Sequence, residues 1–290
     1  GQFRDDVRSF LRGDNATVTK MASRFLASPD LYAHEEREPE QSINFVTCHD
    51  GFTLNDLVSY SRKHNEANRE GNRDGHDHNV SWNFGVEGPI DDPEIERLRL
   101  RQIKNFFTIN LLALGVPMLL MGDEIRRTQH GNNNAYCQDN EISWFDWTLL
   151  DRHADLHRFV KHLIHFRRGL SIYREGRDLS LVRLLRQSGL RWHGVKLEWP
   201  DWGYHSHSLA FSVRGRRGLF HLMLNAYWEP LDFELLPPPA DPPGDWRRVI
   251  DTALESPLDF CPWADAPLVR AATYEVQARS VVLLLAARGQ

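Results

Sequence analysis

Apolar positions in the first part of the chain alternate between short continuous runs and a helical repeat. Ser42–Cys48 and Pro117–Met121 are apolar runs of strand length, and polar residues close each of them. Between them, apolar side chains recur every three or four residues from Ile95 to Leu114, which predicts an amphipathic helix. Strands that are apolar throughout are typical of a parallel sheet covered on both faces. The pattern therefore predicts successive strand–helix units, with another helix over Leu156–Phe166.

A different pattern begins near residue 175. Short β-rich runs follow one another, with turn residues and a proline-rich stretch between them, which is typical of an antiparallel sandwich. The predicted strands are Trp192–Trp199, Ser208–Arg214, Leu219–Asn225, Trp246–Ile250 and Tyr274–Ala286. We therefore expect an α/β part over residues 1–175 and an all-β domain over residues 176–290.

Carboxylates close both predicted strands of the first part. His49 and Asp50 follow one strand, and Asp123 and Glu124 follow the other. In a parallel barrel, functional groups project from the loops at the C-terminal strand ends. We expect Asp123 and Glu124 to be structural and to hydrogen-bond neighbouring loops. The polar loop over residues 55–83 is either part of a site or a solvated surface excursion.

Composition and charge exclude several classes of partner. The 290 residues are 41% hydrophobic and carry a net charge of -5, so no basic surface for nucleic acid is expected. No apolar run has the length of about 18 residues that a spanning helix needs, and the N-terminus has no signal-peptide pattern. We expect no membrane partner and a cytoplasmic location. The widely spaced Cys48, Cys137 and Cys261 fit a reducing compartment.

A metal site is not expected. If Gly75 took the sixth position of a calcium loop, Ser81 would stand where a bidentate Glu is required. His76 and His78 lack a third ligand at zinc-like spacing, and no G-x-S-x-G elbow supports a serine hydrolase. The nine Trp residues keep carbohydrate among the candidate ligands, because aromatic faces can bind the apolar face of a pyranose ring.

One family accounts for most of these motifs. Residues 43–54, INFVTCHDGFTL, resemble the strand-seven motif of the α-amylase superfamily, in which a His-Asp pair closes the sugar site. Further matching segments are HNEAN at 64–68, VSWN at 80–83, GNNNAYCQDNE at 131–141, WHG at 192–194, NAYW at 225–228 and ARSV at 278–281. Together they resemble bacterial glycogen debranching enzymes and isoamylases, which hydrolyse α-1,6 branch points.

The resemblance implies a fold, a substrate and a set of site residues. The fold is the C-terminal part of a TIM (β/α)8 barrel, about its last three units, followed by a β-sandwich. The substrate is a branched α-glucan such as glycogen, limit dextrin or amylopectin, and no cofactor is implied. Asp50 would stabilise an oxocarbenium-like transition state, and His49 would bind the same sugar. The remaining substrate-binding residues would be Asn132, Asn133, Asn134, Tyr136, Trp144 and Trp147, unless this loop serves internal packing.

The resemblance also implies that catalytic groups are missing. A retaining glycosidase needs a nucleophile and a proton donor about 5 Å apart, and the family carries them on strands four and five. Residues 1–8 resemble the segment just after the proton donor. A complete barrel takes about 250 residues, whereas only about 170 precede the β domain. We expect a fragment without these two groups, for which the missing N-terminal half would be a partner.

Three functions remain open at this point. The first is a debranching glycosidase of which this chain is a fragment, and the second is a non-catalytic glucan-binding or regulatory subunit. The third is a related transglycosidase or trehalose-forming enzyme, in which the loop after the last barrel strand should differ from the Asn-rich loop found here.

We predict that the purified chain by itself hydrolyses branched glucan at a negligible rate, because both carboxylates that break the glycosidic bond are expected to be absent. The measurement is reducing-sugar release from glycogen. Turnover at rates typical of a glycosidase would contradict the prediction.

Overall fold

The computed structural model describes residues 1–32, 38–170, 180–215, 218–238 and 244–287. The predicted boundary near residue 175 and residues 239–243 of the proline-rich stretch lie outside these ranges. The helices are α1 (Gln2–Arg12), α2 (Val18–Phe25), α3 (Pro29–Tyr32), α4 (Leu54–Leu57), α5 (Pro93–Leu112), α6 (Leu149–Arg152), α7 (Ala154–Gly169) and α8 (Leu181–Gln187). The strands are β1 (Ile43–Asn44), β2 (Val116–Pro117), β3 (Arg191–His193), β4 (Ser208–Gly215), β5 (Gly218–Asn225), β6 (Leu231–Glu234), β7 (Trp246–Asp251), β8 (Leu268–Val269), β9 (Thr273–Val276) and β10 (Ser280–Ala287).

Helix α5 confirms the long helix predicted from the apolar repeat. The Asp92 carboxylate caps it by accepting hydrogen bonds from the backbone N–H groups of Glu94 at 2.8 Å and Ile95 at 3.4 Å. Pro93 occupies the first turn, where its missing N–H costs nothing. Past the end of the helix, Gly115 has a φ of +111°, and a Cβ there would lie 2.7 Å from the Ser42 carbonyl oxygen. Glycine therefore allows the chain to turn from α5 directly into β2.

Strands β1 and β2 form a short parallel pair, with α5 as part of the connection between them. Ile43 pairs with Val116, and Asn44 pairs with Pro117. About three strand–helix units were expected, but the described residues contain only this one parallel pair. Ile43 and Val116 are exposed beside each other, whereas Asn44 is buried. One face of the pair is thus packed on the protein and the other is an uncovered apolar surface.

The second part of the chain forms an antiparallel sheet of six strands in the order β3-β4-β5-β10-β7-β8. Two predicted strands differ in detail. The first ends at His193, because Gly194 N–H turns back to the Lys196 carbonyl at 3.1 Å. The last divides into β9 and β10, and β9 pairs with β6 in a separate two-stranded sheet.

The central strand β10 is apolar on both sides because both faces of the six-stranded sheet are covered. Val282, Leu284 and Ala286 pack with Phe233 of β6 and Val276 of β9 in one core. The alternate residues Val281, Leu283 and Leu285 belong to a second core that also contains buried residues of α1, α2, α5 and α7. The sheet therefore packs on the small β6–β9 sheet on one side and on the helices on the other.

No helix within the described residues has the length and apolar character needed to cross a membrane.

A buried ion cluster joins helices α5 and α7 to the β domain. The Asp259 carboxylate is fully buried and lies 2.6 Å from Lys104 Nζ of α5. Arg158 of α7 forms an ion pair with the same carboxylate. Its Nε atom also donates a hydrogen bond of 3.0 Å to the Ser256 hydroxyl. One carboxylate thus neutralises two cations from different helices.

Replacing Asp259 with Ala should lower the free energy of unfolding by about 3–5 kcal/mol, because the substitution leaves a buried lysine without its counter-ion. Urea unfolding monitored by circular dichroism measures the change. Asp265→Ala, at an exposed position of the same region, should change stability by less than about 0.5 kcal/mol. Equal effects of the two substitutions would contradict a stabilising role for the cluster.

Candidate functional site

His49 and Asp50 lie in the loop that follows β1, and both side chains are open to solvent. The carboxylate of Asp50 is 64% exposed and the imidazole of His49 is 87% exposed, with 3.3 Å between His49 Nε2 and Asp50 Oδ2. Gly51 has a φ of +109°, which glycine adopts at little cost. Its N–H donates to the Asn133 carbonyl at 3.0 Å. The turn therefore presents Asp50 outward while its backbone is attached to the loop after β2.

The buried carboxylate of Asp123 holds both ends of the loop that carries Asp50. It accepts a hydrogen bond from the backbone N–H of Leu54 at 2.9 Å and another from the Thr47 hydroxyl. Thr47 precedes the His49–Asp50 pair and Leu54 follows it. These bonds confirm the predicted structural role of Asp123. Glu124 accepts a hydrogen bond from Gly122 N–H in its own turn at 3.0 Å, so its predicted bonding to a neighbouring loop stays a prediction.

A second buried carboxylate makes the reciprocal connection. Asp56, in helix α4 after the Asp50 loop, accepts hydrogen bonds from the backbone N–H groups of Gln129 at 2.8 Å and Gly131 at 3.3 Å. The Thr128 hydroxyl donates to its other oxygen. Asp123 therefore extends from the β2 loop into the β1 loop, and Asp56 extends from the β1 loop into the β2 loop. We call this pair the carboxylate exchange.

Burial changes the protonation of both carboxylates. Desolvation raises the pKa of Asp123 to about 7, against the opposing hydrogen bonds from Leu54 and Thr47. Desolvation also raises the pKa of Asp56, which the bonds from Thr128, Gln129 and Gly131 partly offset. Since the charged form of a buried carboxyl is penalised, Asp123 binds a proton in the folded state at pH values where an exposed aspartate does not.

Asparagine side chains connect the 55–83 loop to the 129–134 segment. Asn133 and Asn65 form two hydrogen bonds, each of 2.9 Å: the Asn133 backbone N–H donates to Asn65 Oδ1, and Asn65 Nδ2 donates to Asn133 Oδ1. Asn132 Nδ2 donates to Asn68 Oδ1 at 2.8 Å, and Asn134 Nδ2 donates to Asp74 Oδ2 at 2.9 Å. The long polar loop is thus attached to the site region.

The burial of two of these residues corrects their predicted role. Only 2% of Asn132 and 1% of Asn133 is exposed, and their amide groups are bonded to other parts of the protein, so they do not face a substrate in this structure. Their amides support the loop instead. Asn134 is half-buried at the edge of the network. Hydrogen bonds from Asn68, and then from Asn134, lower the pKa of Asp74.

The three aromatic residues predicted to line the site are exposed. Tyr136, Trp144 and Trp147 extend from the segment that follows the asparagine network. Trp144 Nε1–H donates to Asp139 Oδ1 at 3.0 Å, and the rings of Trp147 and Phe145 lie 4.5 Å apart. Both indole side chains are thus exposed and are held by contacts within their own segment.

The described residues contain no cluster of three or more His, Cys, Asp or Glu side chains placed to hold a metal ion.

Sequence reasoning missed Asp56. Its signal was Thr53-x-x-Asp56, a spacing that marks a helix start. Thr53 does cap α4, its hydroxyl oxygen accepting from Asp56 N–H at 3.2 Å. The Asp56 carboxylate, however, bonds to the distant 128–131 segment rather than to its own helix.

Comparison with known proteins agrees with the motifs. Residues 191–284 match the family described as isoamylase 1-3, C-terminal. The chain is 41% identical over 98% of its length to the glycogen operon protein GlgX homolog of Mycobacterium bovis, and 42% identical over 91% of its length to the glycogen debranching enzyme of Erwinia tasmaniensis. It spans 41% and 38% of the lengths of these two relatives.

Solved structures agree on the fold. Pullulanase type I from Bacillus subtilis, determined in complex with maltose, superposes with a TM-score of 0.68 at 20% identity, covering 99% of this chain and 35% of that chain. Pullulanase from Bacillus acidopullulyticus gives a TM-score of 0.67 at 19% identity, covering 97% of this chain and 30% of that chain.

The matched region and the fold define the class: the chain has the fold of about one third of a pullulanase and matches the isoamylase C-terminal family over its β domain. Within that class, the chain is a homologue of glycogen debranching enzymes and isoamylases, which confirms the resemblance inferred from its motifs.

We predict that Asp123 contributes a fall in the stability of the protein as the pH rises from about 4 to about 7, by as much as about 1.4 kcal/mol per pH unit. Its folded pKa of about 7 lies above its ordinary value of 3.8, so over this range the folded state binds more protons than the unfolded state. His221 contributes the opposite slope, because burial lowers its pKa to about 3.

A comparison of the native chain with an Asp123→Asn variant isolates the contribution of Asp123 to the dependence of stability on pH. The difference in unfolding free energy between the native chain and Asp123→Asn, measured in denaturant at several pH values, removes the histidine contribution. The unfolding free energy of the native chain minus that of the Asp123→Asn variant should decrease as the pH rises. A difference that is independent of pH would contradict the assignment.

Proposed function

We propose that the chain is part of a debranching α-1,6-glucosidase that acts on glycogen, limit dextrin or amylopectin. The observation that carries the proposal is the exposed His49–Asp50 pair, held at the end of a parallel strand by the carboxylate exchange. The names of its homologues, which include a glycogen debranching enzyme and isoamylases, support this activity.

Asp50 acts in this proposal as a fixed negative charge. When a glycosidic bond breaks, positive charge develops on the sugar ring, and a preorganised carboxylate stabilises that charge without needing to reorganise. The hydrogen bonds that sugar hydroxyls donate to the Asp50 carboxylate, and those that they form with the His49 ring, would strengthen as the sugar ring distorts. The carboxylate exchange keeps Asp50 in position, because the loop that carries Asp50 is held at Thr47 and Leu54 and cannot move freely.

The remaining barrel strands would come from polypeptide outside this sequence. In the proposal, residues 1–175 supply the last units of a (β/α)8 barrel, residues 176–290 supply its closing β domain, and the nucleophile and proton donor stand on the other strands. The exposed apolar side chains of Ile43, Val116, Met118 and Met121 favour this arrangement, because a surface of this kind generally marks an interface.

The aromatic loop would form part of the substrate groove. Tyr136, Trp144 and Trp147 are exposed and belong to the segment whose Asn133 carbonyl accepts from the Asp50 turn. The pullulanase structures determined with maltose and maltotetraose support an α-glucan as the ligand.

A non-catalytic glucan-binding subunit is the second candidate. The same exposed aromatic residues favour it, since stacking surfaces can bind sugar without any nucleophile. The two functions differ in what happens when the missing strands are supplied: a glucosidase fragment gains hydrolysis, whereas a binding subunit binds maltooligosaccharide through Trp144 and Trp147 and remains inactive.

Fusing the upstream part of the mycobacterial GlgX homologue to this chain should therefore produce hydrolysis of the branch points of glycogen. In that chimera, Asp50→Asn should lower kcat by about 100-fold or more, the usual loss when a group that stabilises transition-state charge is removed. Reducing-sugar release measures it. Asp151→Asn, at an exposed position of α6, should leave kcat unchanged, and an Asp50→Asn chimera with full activity would exclude the proposed role.

A further inference from the structure

Two aspartates of the chain are followed directly by glycine, and the structure holds them in different ways. They are Asp50, before Gly51 in the turn after β1, and Asp74, before Gly75 in the long polar loop. The backbone nitrogen of the next residue can attack an aspartate side chain, because the two groups belong to one chain and close a five-membered ring. Glycine favours this attack, since it has no Cβ to hinder the approach. The surroundings of each pair therefore decide whether the reaction proceeds.

The Asp50 carboxylate stands in open surroundings. It is 64% exposed, and its one close polar contact among the described residues is His49 Nε2 at 3.3 Å. Beyond the chain neighbours of Gly51, no heavy atom of the described residues lies within 4 Å of the point that a Cβ on Gly51 would occupy. The Asp50 carbonyl oxygen lies 3.4 Å from Cys48 Sγ, a weak donor. The turn thus has room for a ring between the Asp50 side chain and the Gly51 nitrogen.

One hydrogen bond restrains the Gly51 nitrogen. Its N–H donates to the Asn133 carbonyl at 3.0 Å, and this N–H lies in the plane of the peptide group. The nitrogen attacks through the face of that plane, so the bond does not occupy the path of the Asp50 carboxyl carbon. A single hydrogen bond between neutral groups also contributes little net free energy. The bond therefore slows the reaction at Asp50 without preventing it.

The Asp74 carboxylate is held in place by asparagine side chains. Its Oδ2 accepts hydrogen bonds from Asn68 Nδ2 at 2.7 Å and from Asn134 Nδ2 at 2.9 Å. The bond from Asn68, and then that from Asn134, lower the pKa of Asp74, which favours the ionised form over the protonated form that loses water. A Cβ on Gly75 would lie 2.2 Å from Asn133 Oδ1, so the space around this glycine is filled. Asp74 would have to give up two hydrogen bonds in a crowded place before it could react.

We propose that the Asp50–Gly51 pair is a site of spontaneous covalent modification, at which Asp50 converts to isoaspartate through a succinimide, whereas Asp74 is protected. The Gly51 nitrogen forms a bond to Cγ of the protonated Asp50 carboxyl group, the Cγ–OH bond breaks, and the hydroxyl leaves with the amide proton as water. A second water molecule then opens the ring. Breaking the new N–Cγ bond restores aspartate, whereas breaking the bond between the nitrogen and the Asp50 backbone carbonyl carbon gives isoaspartate. The sequence of steps needs no oxidant and leaves the mass of the chain unchanged.

Isomerisation changes the position of the carboxylate. The Asp50 side-chain methylene enters the main chain, and the carboxylate becomes attached directly to Cα. Because the Asp123 carboxylate holds the loop at Thr47 and Leu54, the turn itself must absorb the extra main-chain atom, and the negative charge is displaced. The modification therefore ages the molecule at the group on which the proposed function depends. The reaction itself requires no sugar and no hydrolysis, so it goes beyond the proposed function and stands or fails separately from it.

The test incubates the purified 290-residue chain at physiological temperature in a mildly acidic buffer and follows isoaspartate over several weeks. An isoaspartate-specific methyltransferase with labelled S-adenosylmethionine counts the modified sites, and peptide mapping by mass spectrometry locates them. Isoaspartate should form at position 50 about tenfold faster than at position 74, or more, because Asp74 must first break hydrogen bonds to its charged group. Equal rates at the two positions, a faster rate at position 74, or no isoaspartate at position 50 would overturn the proposal.

A matched pair of variants assigns the signal to one residue. Asp50→Glu should abolish the isoaspartate found in this turn, since a glutamate would have to close a six-membered ring. Asp74→Glu should leave the signal at position 50 unchanged. Near-ultraviolet circular dichroism checks that each variant keeps its fold, and the time course of the native chain tests the proposal without either variant.

The unfolded chain separates the effect of the fold from that of the local sequence. In concentrated urea the hydrogen bonds that Asn68 and Asn134 donate to Asp74 are lost, so the two aspartates should form isoaspartate at similar rates. A slow rate at Asp74 that persists in urea would mean that the local sequence protects this residue, and it would contradict the protection that the proposal assigns to the asparagine side chains.

Discussion

The exchange of buried carboxylates between two strand-end loops is the constraint on which the site depends. Asp123 and Asp56 are each fully buried, and burying an unpaired carboxylate is costly. Each therefore requires donors, and the donors that satisfy it lie in the other loop, at Thr47, Leu54, Gln129 and Gly131. A movement of one loop would leave a buried oxygen unsatisfied in the other. The exposed Asp50 is consequently carried on a loop that is fixed at both of its ends.

The helical part and the β domain pack against each other through the six-stranded sheet. Because helices cover one face of the six-stranded sheet and the β6–β9 sheet covers the other, β10 has no solvent-facing side. The Asp259 carboxylate adds a polar connection from two helices. The α1–α2 connection and the β domain also meet at Tyr204.

The asparagine-rich segment shows how one motif can have two roles. Asn132 and Asn133 give the loop its internal support, and Tyr136, a few residues later, is exposed. A side-chain amide carries both donors and acceptors, so Asn65 both donates to the Asn133 side chain and accepts from the Asn133 backbone N–H. The same property suits a sugar hydroxyl, which is why residue type alone does not separate support from substrate binding.

The sequence by itself determined the elements whose signals are local. The cap at Asp92 and the apolar repeat placed α5, the β-branched runs placed most of the β domain, and the motifs around His49 and Asp50 identified the relatives. It did not determine which buried groups meet: Asp56 carried only the pattern of a helix start, and Asn132 and Asn133 were assigned to substrate. Hydrogen bonds such as that between Asp56 and Gln129 join residues 73 positions apart, so no local pattern encodes them. Only the packing of the two loops decides which polar side chains are satisfied inside the protein and which remain exposed for a ligand.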